Sequence, residues 1–324
     1  MHHKGLVIYP EDLSDYWIDR INGSGLNFLG IHPVGGNTKG KAVANAIEWV
    51  KSSETQRLLN RATEIGIDVE YEIHALSWLL PRELISKQPE WFRMNESGER
   101  TADFNCCASN PQVLEYIAER SAKLAKIFKT STGRYHFWTD DVPHSKCCCS
   151  RCMEMTASDE ALTVYNAINS GIRSVYSGAG QSYLAYDDMI KGPEHVKPAD
   201  GVYLEYAPMQ RNLTRPMSDP ESEKNRKETS SLKRLLKVFG CENSQVLDYW
   251  LDNSWFSDWN RPIRRFRFSP DIVALDSVWY EKLGFETITS FACYLGEEYY
   301  NLHGEHLDVL AYSKALGNIK KKQV

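Results

Sequence analysis

The chain has 324 residues, 38 Lys and Arg against 43 Asp and Glu, a formal charge of −5, and 42% hydrophobic positions. That balance is ordinary for a soluble globular protein and offers no basic tract to a polyphosphate backbone, so nucleic acid is not an expected partner. No apolar run approaches the ~20 residues of a membrane helix, and the start, Met1-His2-His3-Lys4, lacks the apolar core and cleavage site of a secretory leader; the expectation is a cytoplasmic protein without membrane contact.

Length alone suggests about two domains, but a single α/β barrel takes about 250 residues and more with insertions. Eight short apolar runs can be marked, at 5–9, 27–32, 67–74, 135–140, 181–186, 202–206, 245–251 and 286–294, each followed by a helical stretch. Gly66, Gly240 and Gly284 stand where helices should end. Asn110-Pro111 and Ser269-Pro270 place a capping side chain and then proline at a helix start. Strict alternation of strand and helix implies parallel strands. The pattern predicts an α/β fold, a (β/α)8 TIM barrel forming one domain over 1–324 and closing with a helix near 306–316.

Two connections are too long for turns, 75–110 after the third strand and 141–158 after the fourth. Both leave the carboxyl ends of strands, the face where such barrels place their chemistry. A third insertion, 208–228, is polar and Pro-containing and reads as a loop or lid. The lysines at 320–322 read as a solvated end.

In the third strand Asp68, Glu70, Glu72 and His74 alternate with Ile67, Val69, Tyr71 and Ile73. Apolar side chains belong under the helices, so the charged set should face the barrel axis. The fourth strand reads Tyr135-His136-Phe137-Trp138-Thr139 and ends in Asp140-Asp141. If His136 and Trp138 point inward, Asp140 follows them, with Asp141 at the lip. Strand six offers Tyr203 and Glu205 inward; strand seven offers Asp248, Trp250 and Asp252. Trp78, Trp138, Tyr206, Tyr249, Trp250, Trp255 and Tyr294 crowd the rim, with His32 (beside Pro33 and Gly35-Gly36) and His74 near it. Aromatic faces stack on the C–H faces of a pyranose, and paired carboxyls supply the acid and second charge of glycosidic cleavage. Asp140, Asp141 and Glu205 are therefore the catalytic candidates, with Glu297 a further acid. His32, His74, Trp78, Trp138, Tyr206, Asp248, Trp250, Asp252 and Tyr294 are the substrate-binding candidates. The plainer reading of Asp141 is a helix cap or loop salt bridge; that of Glu70 and Glu72 is buried structural charge.

Eight cysteines occur, and Cys147-x-Cys149-x-x-Cys152 is tight enough to bind one soft ion, with Cys107 the natural fourth ligand. A structural zinc there would tie the two long loops together. Disulfides and free thiols are the competing readings, with Cys106 and Cys148 outside the set and Cys241 and Cys293 in the core.

The stretch Gln88-Pro89-Glu90-Trp91-Phe92, then Gly98-Glu99-Arg100, then Cys107-Ala108-Ser109-Asn110-Pro111, then an Asp-containing strand end and the clustered cysteines, resembles the bacterial barrel family labelled domain of unknown function 4838. That family is similar to glycoside hydrolases, some relatives standing in glycoside hydrolase family 163, endo-β-N-acetylglucosaminidases that cut N-glycans. The doubled acid also resembles the Asp-Asp pair of O-GlcNAcase-type barrels. The resemblance implies that Asp140 orients the substrate acetamide and Asp141 protonates the leaving oxygen.

The expectation is thus a glycoside hydrolase acting on an oligosaccharide or glycan with a β-linked N-acetylhexosamine, by substrate-assisted acid catalysis, needing no cofactor for catalysis. The alternatives are a uronidase-like inverting glycosidase, in which two protein carboxylates activate a water, and a carbohydrate-binding barrel without catalysis.

Overall fold

The computed structural model describes residues 3–34 and 39–317, so Gly35, Gly36 and the lysines at 320–322 lie outside the described residues. Eight parallel strands pair in chain order and close into a barrel: β1 (His3–Ile8), β2 (Phe28–Ile31), β3 (Asp68–His74), β4 (Arg134–Trp138), β5 (Gly180–Ala185), β6 (Val202–Tyr206), β7 (Gln245–Asp248) and β8 (Thr287–Phe291). The ring shuts where β8 lies against β1, with His3 opposite Thr287. The expected (β/α)8 barrel is the observed fold. Gly66, Gly240 and Gly284 all have positive φ, and the Asn110 and Ser269 side chains accept the backbone N–H of Gln112 and Ile272 at their helix starts.

Strand parity decides which side chains meet at the axis. On β3, Glu70, Glu72 and His74 face inward, while Val69, Tyr71 and Ile73 face the helices, where Tyr71 packs on Phe128 at 5.0 Å. On β4 the inward set is Arg134, His136 and Trp138. These side chains form one buried polar stack. His136 places Nε2 2.6 Å from Glu70 and Nδ1 2.8 Å from Glu205. Arg134 lies 3.1 Å from Glu70, donates to Gln245, and stands 4.5 Å over the Tyr203 ring. Gln245 and the Trp138 indole N–H both donate to Glu205, at 2.5 and 3.0 Å.

Burial alone would lower the pKa of His136, but the charge and hydrogen bond of Glu205, with those of Glu70, raise it to about 10. Burial alone would raise that of Glu70, and Arg134 and His136 hold it below the ordinary value. His136 is therefore an imidazolium clamped between two acids. Glu72 lies beside this stack, and among the described residues neither of its oxygens has a hydrogen-bond partner. Burial, reinforced by the charge of Glu205, raises its pKa well above the usual carboxyl value, which makes it the protonated member. Gly30 on β2 makes room for it, since a Cβ at that position would lie 3.0 Å from Glu72 Oε1 and 2.9 Å from Val7 Cγ2.

The insertion 208–228 is not a loose lid. Arg211 is buried and bridges Asp248 and Asp276, each at 2.7 Å. Asn225, in the short helix Glu223–Thr229, accepts from Asn212 N–H and donates to the carbonyls of Arg215 and Pro216. A buried ion pair pins the segment to the helical layer.

Because folding raises the His136 pKa, its contribution to stability is complete below the ordinary histidine value of 6.5 and is lost as the pH rises through about 10. His136→Ala leaves buried carboxylates uncompensated and is expected to cost about 3–5 kcal/mol at pH 7. Urea unfolding at pH 7 and 9.5 checks both: the native chain should lose stability between those values, and the variant should lack that slope.

Candidate functional site

Above the charged stack, at the carboxyl ends of the strands, a cavity of about 380 Å³ opens. Its floor and walls come from positions at the tops of the strands: Tyr9, His32, His74, Trp138, Leu184, Tyr186, Leu247, Tyr249 and Phe291. Val34, Met209, Ser254 and Trp259 complete the wall, and Asp141 and Asp252 are its two carboxyl groups. Among the described residues, none of those lining it is lysine or arginine.

Asp141 follows β4 and Asp252 follows β7, three strands apart in a ring of eight, so the two acids approach the space from opposite sides. Tyr186 donates its hydroxyl to Asp141 Oδ1 at 2.8 Å. Asp252 caps the short helix Asn253–Phe256, its Oδ1 accepting the N–H groups of Ser254 and Trp255 at 3.0 and 3.2 Å and the Ser254 hydroxyl at 2.5 Å. Tyr9 donates in turn to Ser254 Oγ at 3.2 Å, which extends the chain of hydroxyls across the mouth. Burial raises the pKa of Asp252, and the Ser254 hydrogen bond offsets only part of that.

His32 and His74 stand edge to face, 5.8 Å apart, on the same wall. Each ring places Nδ1 on a backbone carbonyl, of Glu72 at 2.8 Å and of Thr139 at 2.7 Å, which requires the hydrogen on Nδ1. Burial, with the neighbouring His74, lowers the His32 pKa to about 4, so at neutral pH it is an uncharged imidazole whose Nε2 is an acceptor.

Of the sequence candidates, the structure gathers Asp141, Asp252, His32, His74 and Trp138 on one cavity, together with Tyr249. It separates the others. Asp140 is 1% exposed and turned away from the cavity: Arg82 and the Asn105 N–H hold its Oδ2, and its own N–H donates to Asn105 Oδ1 at 3.0 Å. The β4 strand ends at Trp138, so the next two residues no longer keep strand parity, and the doubled acid divides between a buried latch and the cavity wall. Glu205 lies beneath the cavity floor in the charged stack. On β7 the inward residues are Gln245, Leu247 and Tyr249, so Asp248 and Trp250 point to the helices, where Asp248 meets Arg211 and Tyr280 and Trp250 donates to Asp276 at 3.0 Å. Tyr206 faces outward as well, packed against Tyr280 and Phe285. Trp78 lies under the Arg120 guanidinium at 4.2 Å, away from the mouth. Tyr294 supports Tyr9 edge-on at 5.7 Å and takes a hydrogen bond from Arg261, so it braces the wall without lining it. Glu297 is exposed at the start of the helix Glu297–His303. The sequence reading passed over Tyr9, Tyr186 and Ser254; the first two closed their apolar runs, and an inward parity at a strand end was the available signal.

Among the described residues, two clusters offer metal-ligand atoms. The first is Glu72, His136 and Glu205, whose ligand atoms lie within 4.8 Å of one another. His136 has both ring nitrogens engaged by carboxylates and carries a proton on each, which leaves no lone pair for an ion. The second is Cys107, Cys147, Cys149 and Cys152, all buried, with their sulfurs within 4.8 Å of one another. All eight cysteines are free of disulfides.

The sequence matches the family described as Domain of unknown function (DUF4838) over residues 40–250. The chain belongs to this family. No curated protein matches it. Among solved structures, a broad-specificity GH5-4 endoglucanase from Bacteroides salanitronis superposes with a TM-score of 0.51 at 11% identity, covering 94% of this chain and 84% of that one. An alpha-galactosidase from Thermus thermophilus, in complex with stachyose, gives 0.49 at 14% identity, covering 98% and 65%. An exo-beta-1,4-mannosidase from Opitutaceae bacterium strain TAV5 gives 0.46 at 11% identity; 90% of this chain is covered, but it spans about half, 52%, of the mannosidase. The superposition on the endoglucanase concerns the fold alone, the closed (β/α)8 barrel of residues 3–34 and 39–317.

The latch assignment for Asp140 has a measurable consequence. In a double-mutant cycle of Asp140→Asn with Arg82→Gln, the coupling energy from denaturant unfolding is expected to be about 1.5–3 kcal/mol. A coupling near zero would return Asp140 to the catalytic candidates.

Proposed function

We propose that this DUF4838 barrel is a glycosidase that works on a neutral sugar with two protein carboxyls, Asp252 as proton donor and Asp141 as the ionised partner. The single observation that carries the reading is that these two acids alone, among the described residues, face one aromatic-walled cavity from opposite sides of the barrel mouth. Glycosidic cleavage needs a protonated acid at the leaving oxygen and a carboxylate across the ring from it. A pair whose surroundings differ in this way divides those roles: burial favours the proton on Asp252, while the Tyr186 hydroxyl on Asp141 suits the charged form.

The roles therefore reverse the sequence expectation for Asp141. The acetamide-assisted route to an N-acetylhexosaminide asked Asp140 to hold the acetamide N–H, and Asp140 is committed to Arg82 and Asn105. A uronide is disfavoured because, among the described residues, the walls bring two acids and neither lysine nor arginine to a charged sugar. Trp138, Tyr249 and Phe291 supply ring faces for the pyranose, and His32 Nε2 accepts from a sugar hydroxyl.

Turnover on a panel of neutral aryl glycosides tests the reading. Asp252→Asn keeps a capping side chain and should slow substrates with poor leaving groups at least 100-fold, while activated aryl glycosides lose much less. Asp141→Asn should slow both alike. Binding of glycans by the native chain with no turnover on any of them would leave a recognition barrel in place of the enzyme.

A further inference from the structure

We propose that Cys107, Cys147, Cys149 and Cys152 hold a zinc ion, and that this ion clamps the loop after β3 to the loop after β4 and so fixes where Asp141 stands. This site would stand whether or not the barrel is a glycosidase. For a zinc–sulfur bond of about 2.3 Å, the edge of a sulfur tetrahedron is about 3.8 Å. Cys107 Sγ lies 3.7 Å from Cys149 Sγ and 3.8 Å from Cys152 Sγ. Four buried thiols within 4.8 Å of one another, two of the spacings matching a tetrahedral edge and none closed as a disulfide, are arranged as a ligand set for a thiophilic divalent ion.

The surroundings fit the charge such a centre would carry. Zinc with four thiolates has a net charge of −2, which a buried site must offset with N–H donors and cations. The Met94 N–H points at Cys147 Sγ at 3.3 Å, and the Arg100 guanidinium approaches the same sulfur at 3.7 Å. The two neighbouring cysteines do not join the set. Cys106 faces the space beside Leu76 and Glu160, and half-buried Cys148 turns to the Lys146 carbonyl. Four of six loop thiols converge, and the donors converge on them.

The clamp reaches the cavity through few bonds. Asn105, two residues before Cys107, exchanges hydrogen bonds with Asp140 in both directions, and Arg82 joins the Asn105 carbonyl at 2.8 Å to the Asp140 carboxylate. Asp141 is the next residue. On the other side, Cys148 N–H donates to the Met94 carbonyl at 2.8 Å, and Cys147 N–H donates to Glu160, at the start of the helix Ala157–Val175, at 3.0 Å. Releasing the ion frees both loops at the point where they hold the strand end.

Metal analysis of the full chain, produced with zinc supplied, should find about one zinc per chain. Cys149→Ser and Cys152→Ser should reduce it to below about 0.2, whereas Cys149→His, which keeps a ligand, and Cys148→Ser should retain it. Stripping the ion with a thiol-blocking mercurial and chelator should lower the thermal midpoint by about 5 °C or more and open 141–158 to limited proteolysis. Native chain with less than about 0.2 zinc and four reactive thiols would overturn the proposal, as would a disulfide among these cysteines by mass, or iron in place of zinc. Full zinc content with no change in midpoint or cleavage on removal would overturn the clamp.

Discussion

An imidazolium at the axis of the barrel sets the conditions for everything above it. Side chains from β3, β4, β6 and β7 meet where water is excluded, and most of them are charged, so the interior is stable only if the charges cancel locally. His136, held between Glu70 and Glu205 with Arg134 alongside, provides that cancellation. Trp138 then rests its indole N–H on Glu205 and becomes the floor of the cavity. The apolar rings that face a ligand thus stand on a polar foundation, and the upper layer can be spare in charge because the lower one is saturated with it.

Much of this was legible in the residues. Alternation along β3 located the inward Glu70 and Glu72 and that along β4 the inward His136 and Trp138, and eight apolar runs, several punctuated by capping residues and glycines, located the eight units. The spacing of Cys147, Cys149 and Cys152 made three of the clustered thiols legible, because residues two and three apart can close on one point without long-range information, whereas Cys107 comes from the other long loop. What failed was parity at strand ends. The inward set of β7 is Gln245, Leu247 and Tyr249, one residue out of step with the reading that placed Asp248 and Trp250 on the rim. The reason lies far off in the chain: Arg211, in a segment that looks like a solvated loop, is the buried counter-ion that lets Asp248 sit among helices. Asp140 failed for the same kind of reason. Its partner Arg82 lies in the preceding long connection, and no local pattern announces that an arginine there will claim one acid of an adjacent pair.

The division of that acid pair shows how such a rim is built. Consecutive residues leaving a strand cannot both face the same space, so one can anchor the backbone while its neighbour is presented. Asp140 does the first through Arg82 and Asn105, and Asp141 is carried to the wall opposite Asp252. The second acid is fixed by a different device, a helix cap, whereas Asp141 takes the Tyr186 hydroxyl. The walls remain free of lysine and arginine among the described residues, and the two acids and the neutral His32 imidazole face the space together.

Gly30 and Glu72 occupy what is in effect a single volume, shared between neighbouring strands. A methyl group at 30 would press on both Val7 Cγ2 and Glu72 Oε1, so making room for it means moving apolar and polar neighbours together. The shape of the barrel's centre is in this sense a shared mould, cast by side chains of three neighbouring strands.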